Sequence, residues 1–207
     1  MLLAGSFSAC VRILTEIPAA DDDPSADAMM LYRWLEERIL AGVERPGDRE
    51  AALARIEQHP ADTAAYHYAR AAVTGRYLEQ HRLSAIHRVK DVEWHARRSR
   101  ELDPDFRGGA ATRLLGTVYV LAPASVLEHG DSETGLELLE ELVEKHPEVP
   151  ENHLRLAEAY VALGDPAAAR PYICRWVGKQ VQLSVDEQFL LNQLLRDATV
   201  ERCPVEE

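Results

Sequence analysis

The strongest constraint on this chain is a helical pattern that recurs, punctuated by Gly-Asp and by proline. Residues 154–172 read LRLAEAYVALGDPAAARPY. Leu156, Ala157 and Tyr160 come first, then the Gly164-Asp165 turn, then Ala169 and Ile173. The same order occurs upstream: Leu115, Gly116 and Tyr119, then Gly130-Asp131, then Leu136, Leu139, Leu142 and Val143, with Pro147 closing the run. Small residues let two helices approach closely, and glycine permits the tight turn between them. A unit of this kind cannot bury its apolar face alone, so it must stack on neighbours. Chains built this way recognise partners along stacked helices.

The pattern resembles a tetratricopeptide unit, a pair of antiparallel helices. The composition agrees with an all-α chain. Ala, Leu, Glu and Arg dominate, and no run of β-branched residues alternates cleanly with polar ones. Helices are expected over 27–40, from a cap at Asp48 through Ile56, and from a cap at Asp62 or Thr63 to about Gln80. Others are expected over 86–102 and 112–121, after Asp131 up to Pro147, and in a unit spanning 151–177. Residues 122–129 read as an insertion between paired helices. Ser184 and Glu187 form a capping-box pattern before Phe189, Leu190, Leu191, Leu194 and Leu195. The expected architecture is a tetratricopeptide-like stack of antiparallel pairs, about nine helices in all, with a C-terminal sealing helix. The folded body is assigned to 27–200 and a tail to 201–207.

Residues 1–10 read as a signal-like segment. Phe7-Ser8-Ala9-Cys10 resembles a bacterial lipobox, in which the cysteine is lipidated. Phe7 stands where leucine is usual, no basic n-region precedes it, and the apolar stretch is short. The start is therefore expected to be incomplete upstream. The alternative is that Leu2, Leu3, Val11, Ile13 and Leu14 form a first core helix. Residues 11–26, with the acidic run IPAADDDPSA, read as a flexible tether. Export would make Cys174 and Cys203 a disulfide candidate tying the tail to the penultimate helix. A cytosolic location would leave them ordinary thiols. The longest uncharged run, Leu114 to Leu127, is 14 residues and contains Pro123, too short to span a bilayer. The membrane is expected only through a lipid anchor at Cys10, in the periplasm.

Net charge is −12, which disfavours nucleic acid as a partner. The charge is uneven. From Arg76 to Arg113 nine basic residues face six acidic ones. That segment is either a solvated helix surface or a docking patch for an anionic ligand or acidic partner. No catalytic or cofactor motif occurs. His87, Asp91 and His95 share a helical face, but residues at i and i+8 lie about 12 Å apart along the axis, too far for one metal ion. Neither enzyme activity nor a cofactor is expected.

Residues 101–123 read ELDPDFRGGAATRLLGTVYVLAP. The helix stop Leu102-Asp103-Pro104-Asp105, the pair Gly108-Gly109, then Leu115-Gly116, Tyr119, Ala122-Pro123 and the later Gly130-Asp131 resemble the T-component family of TRAP transporters. Its members are tetratricopeptide-like periplasmic lipoproteins. The resemblance covers about Asp91 to Tyr160. It implies a non-enzymatic accessory protein that self-associates and works with a periplasmic substrate-binding component. That component would deliver a small organic or hydrophobic ligand. The alternative is a general tetratricopeptide adaptor binding a peptide or envelope protein in its groove. Leu115, Tyr119 and Pro123 of the uncharged run are candidates for a cavity lining or subunit contact, against burial as ordinary core. Tyr66, Tyr68, Tyr77 and Trp94 are candidates for the inner face, against inter-helix packing.

Overall fold

The computed structural model describes residues 16–200 and Cys203. Among them are nine α-helices: α1 (Pro24–Leu40), α2 (Asp48–Gln58), α3 (Ala64–His81), α4 (Val89–Leu102), α5 (Ala110–Leu121), α6 (Ser132–Lys145), α7 (Pro150–Ala162), α8 (Pro166–Cys174) and α9 (Val185–Asp197). No strand occurs among the described residues. The fold is an all-α helical-repeat stack. Helices pack in antiparallel pairs, α3 with α4, α5 with α6 and α7 with α8, and α9 lies against α7 and α8.

Helix starts follow short polar caps. The carboxylates of Asp23, Asp131 and Asp165 accept the backbone N–H of Ser25, Thr134 and Ala168. Thr63 does the same for Tyr66 at 3.2 Å, so the cap of α3 is Thr63 rather than Asp62. Ser184 and Glu187 complete a reciprocal capping box on α9. Asp48 is the first residue of α2, not its cap. Its carboxylate takes Nε of the buried Arg38 and the Arg45 N–H, each at 2.8 Å, which ties the end of α1 to the start of α2.

Two expectations change. Helix α1 begins at Pro24, inside the stretch assigned to a tether, because Asp23 caps it and proline suits the first helical position. The preceding residues are held as well: the Arg55 guanidinium donates to the carbonyls of Pro18 and Ala19, and the Asp21 N–H reaches the Asp27 carboxylate at 2.9 Å. Next, the expected helix from Ile86 divides. Residues Arg82–Arg88 wind as a 3₁₀ segment and α4 starts at Val89. Residues 1–15, including Cys10 and the lipobox-like segment, lie outside the described residues.

The core runs along the seams of the stack. Leu31, Leu35, Leu53, Ile56, Tyr66, Ala69 and Val73 join α1, α2 and α3. Val92, Ala96, Leu115, Tyr119 and Leu138 join α4, α5 and α6. Leu154, Ala157, Ala169, Ile173, Leu191 and Leu194 join α7, α8 and α9. Cys174 and Cys203 are disulfide-bonded, with Cα atoms 5.3 Å apart, closing the end of α8 to the tail.

The repeated Gly-Asp pair serves two different ends. Gly164 turns the chain with φ +85°. Gly130 has ordinary φ, but a Cβ there would stand 2.3 Å from the Tyr119 ring. The α5–α6 crossing is less forgiving: a Cβ on Gly135 would lie 2.8 Å from the Gly116 carbonyl oxygen, a backbone atom that no rotamer change can move. Gly75, inside α3, faces open space. Gly135→Ala should therefore destabilise by about 1–3 kcal/mol from overpacking. Gly75→Ala should stabilise by roughly 0.5–1 kcal/mol from helix propensity. Thermal melts of the two variants should move in opposite directions.

Candidate functional site

The site is built around α4, whose buried stripe runs Val92, Ala96 and Ser99 and carries a carboxylate, Glu93, in its midst. Glu93 is 1% exposed. It accepts the Tyr119 hydroxyl at 2.9 Å, the backbone N–H groups of Glu128 and His129 at 2.8 Å each, and the His129 ring at 3.2 Å. Taking a carboxylate from water is expensive unless its lone pairs are satisfied. Four donors meet that need here, and charge-assisted bonds are the stronger kind. The result is mechanical: the insertion after α5 folds back and is pinned onto α4. Burial and the Glu93 contact push the Tyr119 phenol up to about 12, so it remains a donor.

The pinned insertion makes the lip of a cleft. One part, about 520 Å³, is lined by Trp94, Arg97, Arg98 and Glu101 of α4, Asp62 before α3, and Glu93, Glu128 and His129. A second part, about 330 Å³, shares Arg97, Glu101 and His129 with the first. It adds Arg100 and Pro104, a floor of Leu115 and Tyr119 from α5, and a wall of Thr134 and Leu138 from α6. The cleft thus separates α4 from α6, with α5 beneath.

At the Trp94 end a polar chain runs inward. Arg98 grips Asp62 with Nε at 2.9 Å and Nη2 at 2.7 Å. Asp62 meets His67 Nε2 at 3.0 Å, and His67 Nδ1 meets His95 Nδ1 at 2.8 Å. Arg98 foremost, then His67, holds the Asp62 carboxyl well below the usual range. Burial lowers His67, against the pull of Asp62. Burial, then Arg70 and His67, pushes His95 down to about 3. Both rings are therefore neutral near neutral pH. Asp62 can only accept, so His67 donates through Nε2 and accepts at Nδ1, and His95 is the donor of the shared bond. The chain is a fixed dipole array with a surface carboxylate at its end.

The sequence-derived candidates scatter. Trp94 is 55% exposed at the cleft and Pro123 is exposed on the insertion. Tyr66, Leu115 and Tyr119 are core: Tyr66 donates its hydroxyl to the Ile56 carbonyl at 3.1 Å, and Leu115 and Tyr119 reach the cleft only as its floor. Tyr77 is half-buried and stacks on His81, with rings 4.0 Å apart. Tyr68 is buried against Tyr32 and Phe106. The expected His87–Asp91–His95 face does not form, because His87 lies in the 3₁₀ segment and His95 pairs with His67 instead. No group of three metal-ligating side chains occurs among the described residues. Sequence reading missed Glu93 and His67. A carboxylate at the 93 position of an otherwise apolar stripe was the available signal; His67 had none.

The tetratricopeptide repeat family matches residues 126–176, from the insertion through α6, α7 and α8. No curated protein matches the chain. A repeat of this kind suggests a protein-interaction adaptor, and such repeats are generally non-enzymatic scaffolds.

Two outcomes follow from the site. Glu93→Gln, which swaps an acceptor for a donor among four donors, should destabilise by about 1–3 kcal/mol in denaturant melts. His95 takes its proton more readily unfolded than folded, so its contribution is whole above pH 6.5 and is lost as pH falls towards 3. Stability should drop over that window by up to roughly 1.4 kcal/mol per pH unit for this one group. His95→Gln should flatten the dependence, measured as midpoint against pH.

Proposed function

We propose that this chain is an exported helical-repeat adaptor whose protein partner docks in the cleft between α4 and α6. The observation that carries the reading is Trp94: a large aromatic ring, 55% exposed, on the lip of a cleft that the chain uses a buried carboxylate to shape. Exposed aromatics beside a polar rim are typical anchors for protein partners. The surface that joins α1, α3, α5 and α7 offers less, because its side chains pair among themselves. Arg76 meets Glu36 at 2.7 Å, Arg113 meets Glu151 at 2.8 Å and the buried Asn152 at 2.6 Å, and Arg107 stacks on Tyr32.

The Cys174–Cys203 bond supports an oxidising compartment. Lipidation at Cys10, periplasmic anchoring and an accessory role in TRAP-type solute uptake, with a substrate-binding component as partner and a small organic or hydrophobic ligand as cargo, are the specific form of this reading. They rest on the lipobox-like and T-component-like residues. Self-association belongs to the same form. The outer face of α9 favours it, since Val185 and Phe189, one turn apart, are each 67% exposed while Leu190, Leu191 and Leu194 are buried.

A photo-crosslinking residue at position 94, in cells producing the chain, should capture a defined envelope protein. Capture only from positions outside the cleft would overturn the cleft reading. Mass measurement of the native N-terminal peptide should find an acylated Cys10. Light scattering should find an oligomer, and a strict monomer would favour the general adaptor over the T-component role. Reducing the disulfide, or Cys203→Ser, should cost about 3–4 kcal/mol on the loop-entropy estimate for its separation of 29 residues, read as a lower melting temperature.

A further inference from the structure

Charges around the cleft divide into engaged and unengaged groups. Glu93 holds four donors. Arg98 is committed to Asp62 and reaches Glu101 at 3.4 Å. Lys90 holds Glu128 at 2.7 Å. Two lining charges remain, Arg97 and Arg100, one helical turn apart on α4. Among the described residues neither lies within ion-pair distance of a carboxylate. Arg97 is half-buried and its polar contact is the Tyr119 hydroxyl. Arg100 is exposed. The carboxylates Glu133, Glu137 and Glu141 of α6 do not line the cleft, whose α6 wall is Thr134 and Leu138.

Arg97 meets its nearest carboxylate, Glu93, only through the Tyr119 hydroxyl, and a guanidinium without a direct ion pair can still hold an incoming carboxylate by two parallel bonds. The chain as a whole carries −12, so a distant acidic partner is repelled. At physiological ionic strength that field is screened beyond about 8 Å, and the local pair decides the contact. Apolar surface flanks the arginines at one end, where Trp94 is exposed; Leu115 and Leu138 beneath them are buried.

We propose that the cleft binds an acidic extended segment of the partner protein, with carboxylates on Arg97 and Arg100 and an apolar side chain against Trp94. This rests on the adaptor reading and adds the partner's chemistry. Arg97 and Arg100 set specificity, and Trp94 supplies contact area.

The probe is a capped peptide, acetyl-EEDFEEL-amide, compared with its Gln/Asn counterpart. Trp34 and Trp176 are buried, so acrylamide quenching of the full chain reports mainly on Trp94. The acidic peptide should protect Trp94 saturably and the neutral one should not. Arg97→Gln and Arg100→Gln should each weaken binding about tenfold. Both should keep the wild-type melting temperature, and Arg196→Gln on α9 should bind as wild type. Equal binding of the two peptides, no saturable protection up to millimolar peptide, or wild-type affinity in both arginine variants would overturn the proposal. A partner crosslinked at position 94 and insensitive to both variants would refute this inference while leaving the cleft reading intact; absence of any crosslink at 94 would sink the cleft reading itself.

Discussion

One buried carboxylate organises this molecule's surface. Glu93 sits in the apolar stripe of α4, where an alanine or leucine would pack without electrostatic cost. It remains stable there because Tyr119 and two loop N–H groups point at it. The loop N–H groups would otherwise need water, and the carboxylate would otherwise need solvent. Each satisfies the other, and the insertion between α5 and α6 becomes a fixed lip instead of a free strand of chain. Gly130 lets the end of that lip lie against the Tyr119 ring, and the α5–α6 crossing beside it is close because Gly116 and Gly135 lack side chains.

The lip gives α4 its chemistry. Its buried face spends its polar groups internally, on Glu93 and on the His67–His95 pair. Its outer arginines divide by whether a carboxylate lies in reach. Arg98 finds Asp62, whereas Arg97 and Arg100 face the cleft. Charge balance in the rest of the stack is mostly internal, as at Arg76–Glu36 and Arg38–Asp48. In the cleft Arg97 and Arg100 stand outside such pairs, beside an exposed tryptophan.

The helical stack was legible because its signals are local. Asp131, Asp165 and Ser184 cap the helices that follow them, Pro147 stops the one before it, and apolar spacing marked each seam. Face assignment was not legible. In a stack each helix has neighbours on several sides, so an amphipathic pattern cannot tell a groove from a seam. Tyr66 and Tyr119 suit a lining or a packing role equally in sequence, and they are buried with their hydroxyls bonded. The histidine pair was hidden for another reason. His95 invited pairing with His87 on one presumed helix, yet its partner lies 28 residues away on α3. The start of α1 at Pro24 shows the reverse case, an acidic stretch that reads as linker and supplies a cap.

Native-state hydrogen exchange at the Glu128 and His129 amides tests the central claim most directly. Both lie outside any helix, so a free loop would exchange them near the rate of an unstructured peptide. Bonded to Glu93, they should be protected to the level of the α4 and α5 core amides and should open only with them. Exchange at unprotected rates, with α4 and α5 still protected, would show that no pinned lip exists and that the cleft is not a built feature of the fold.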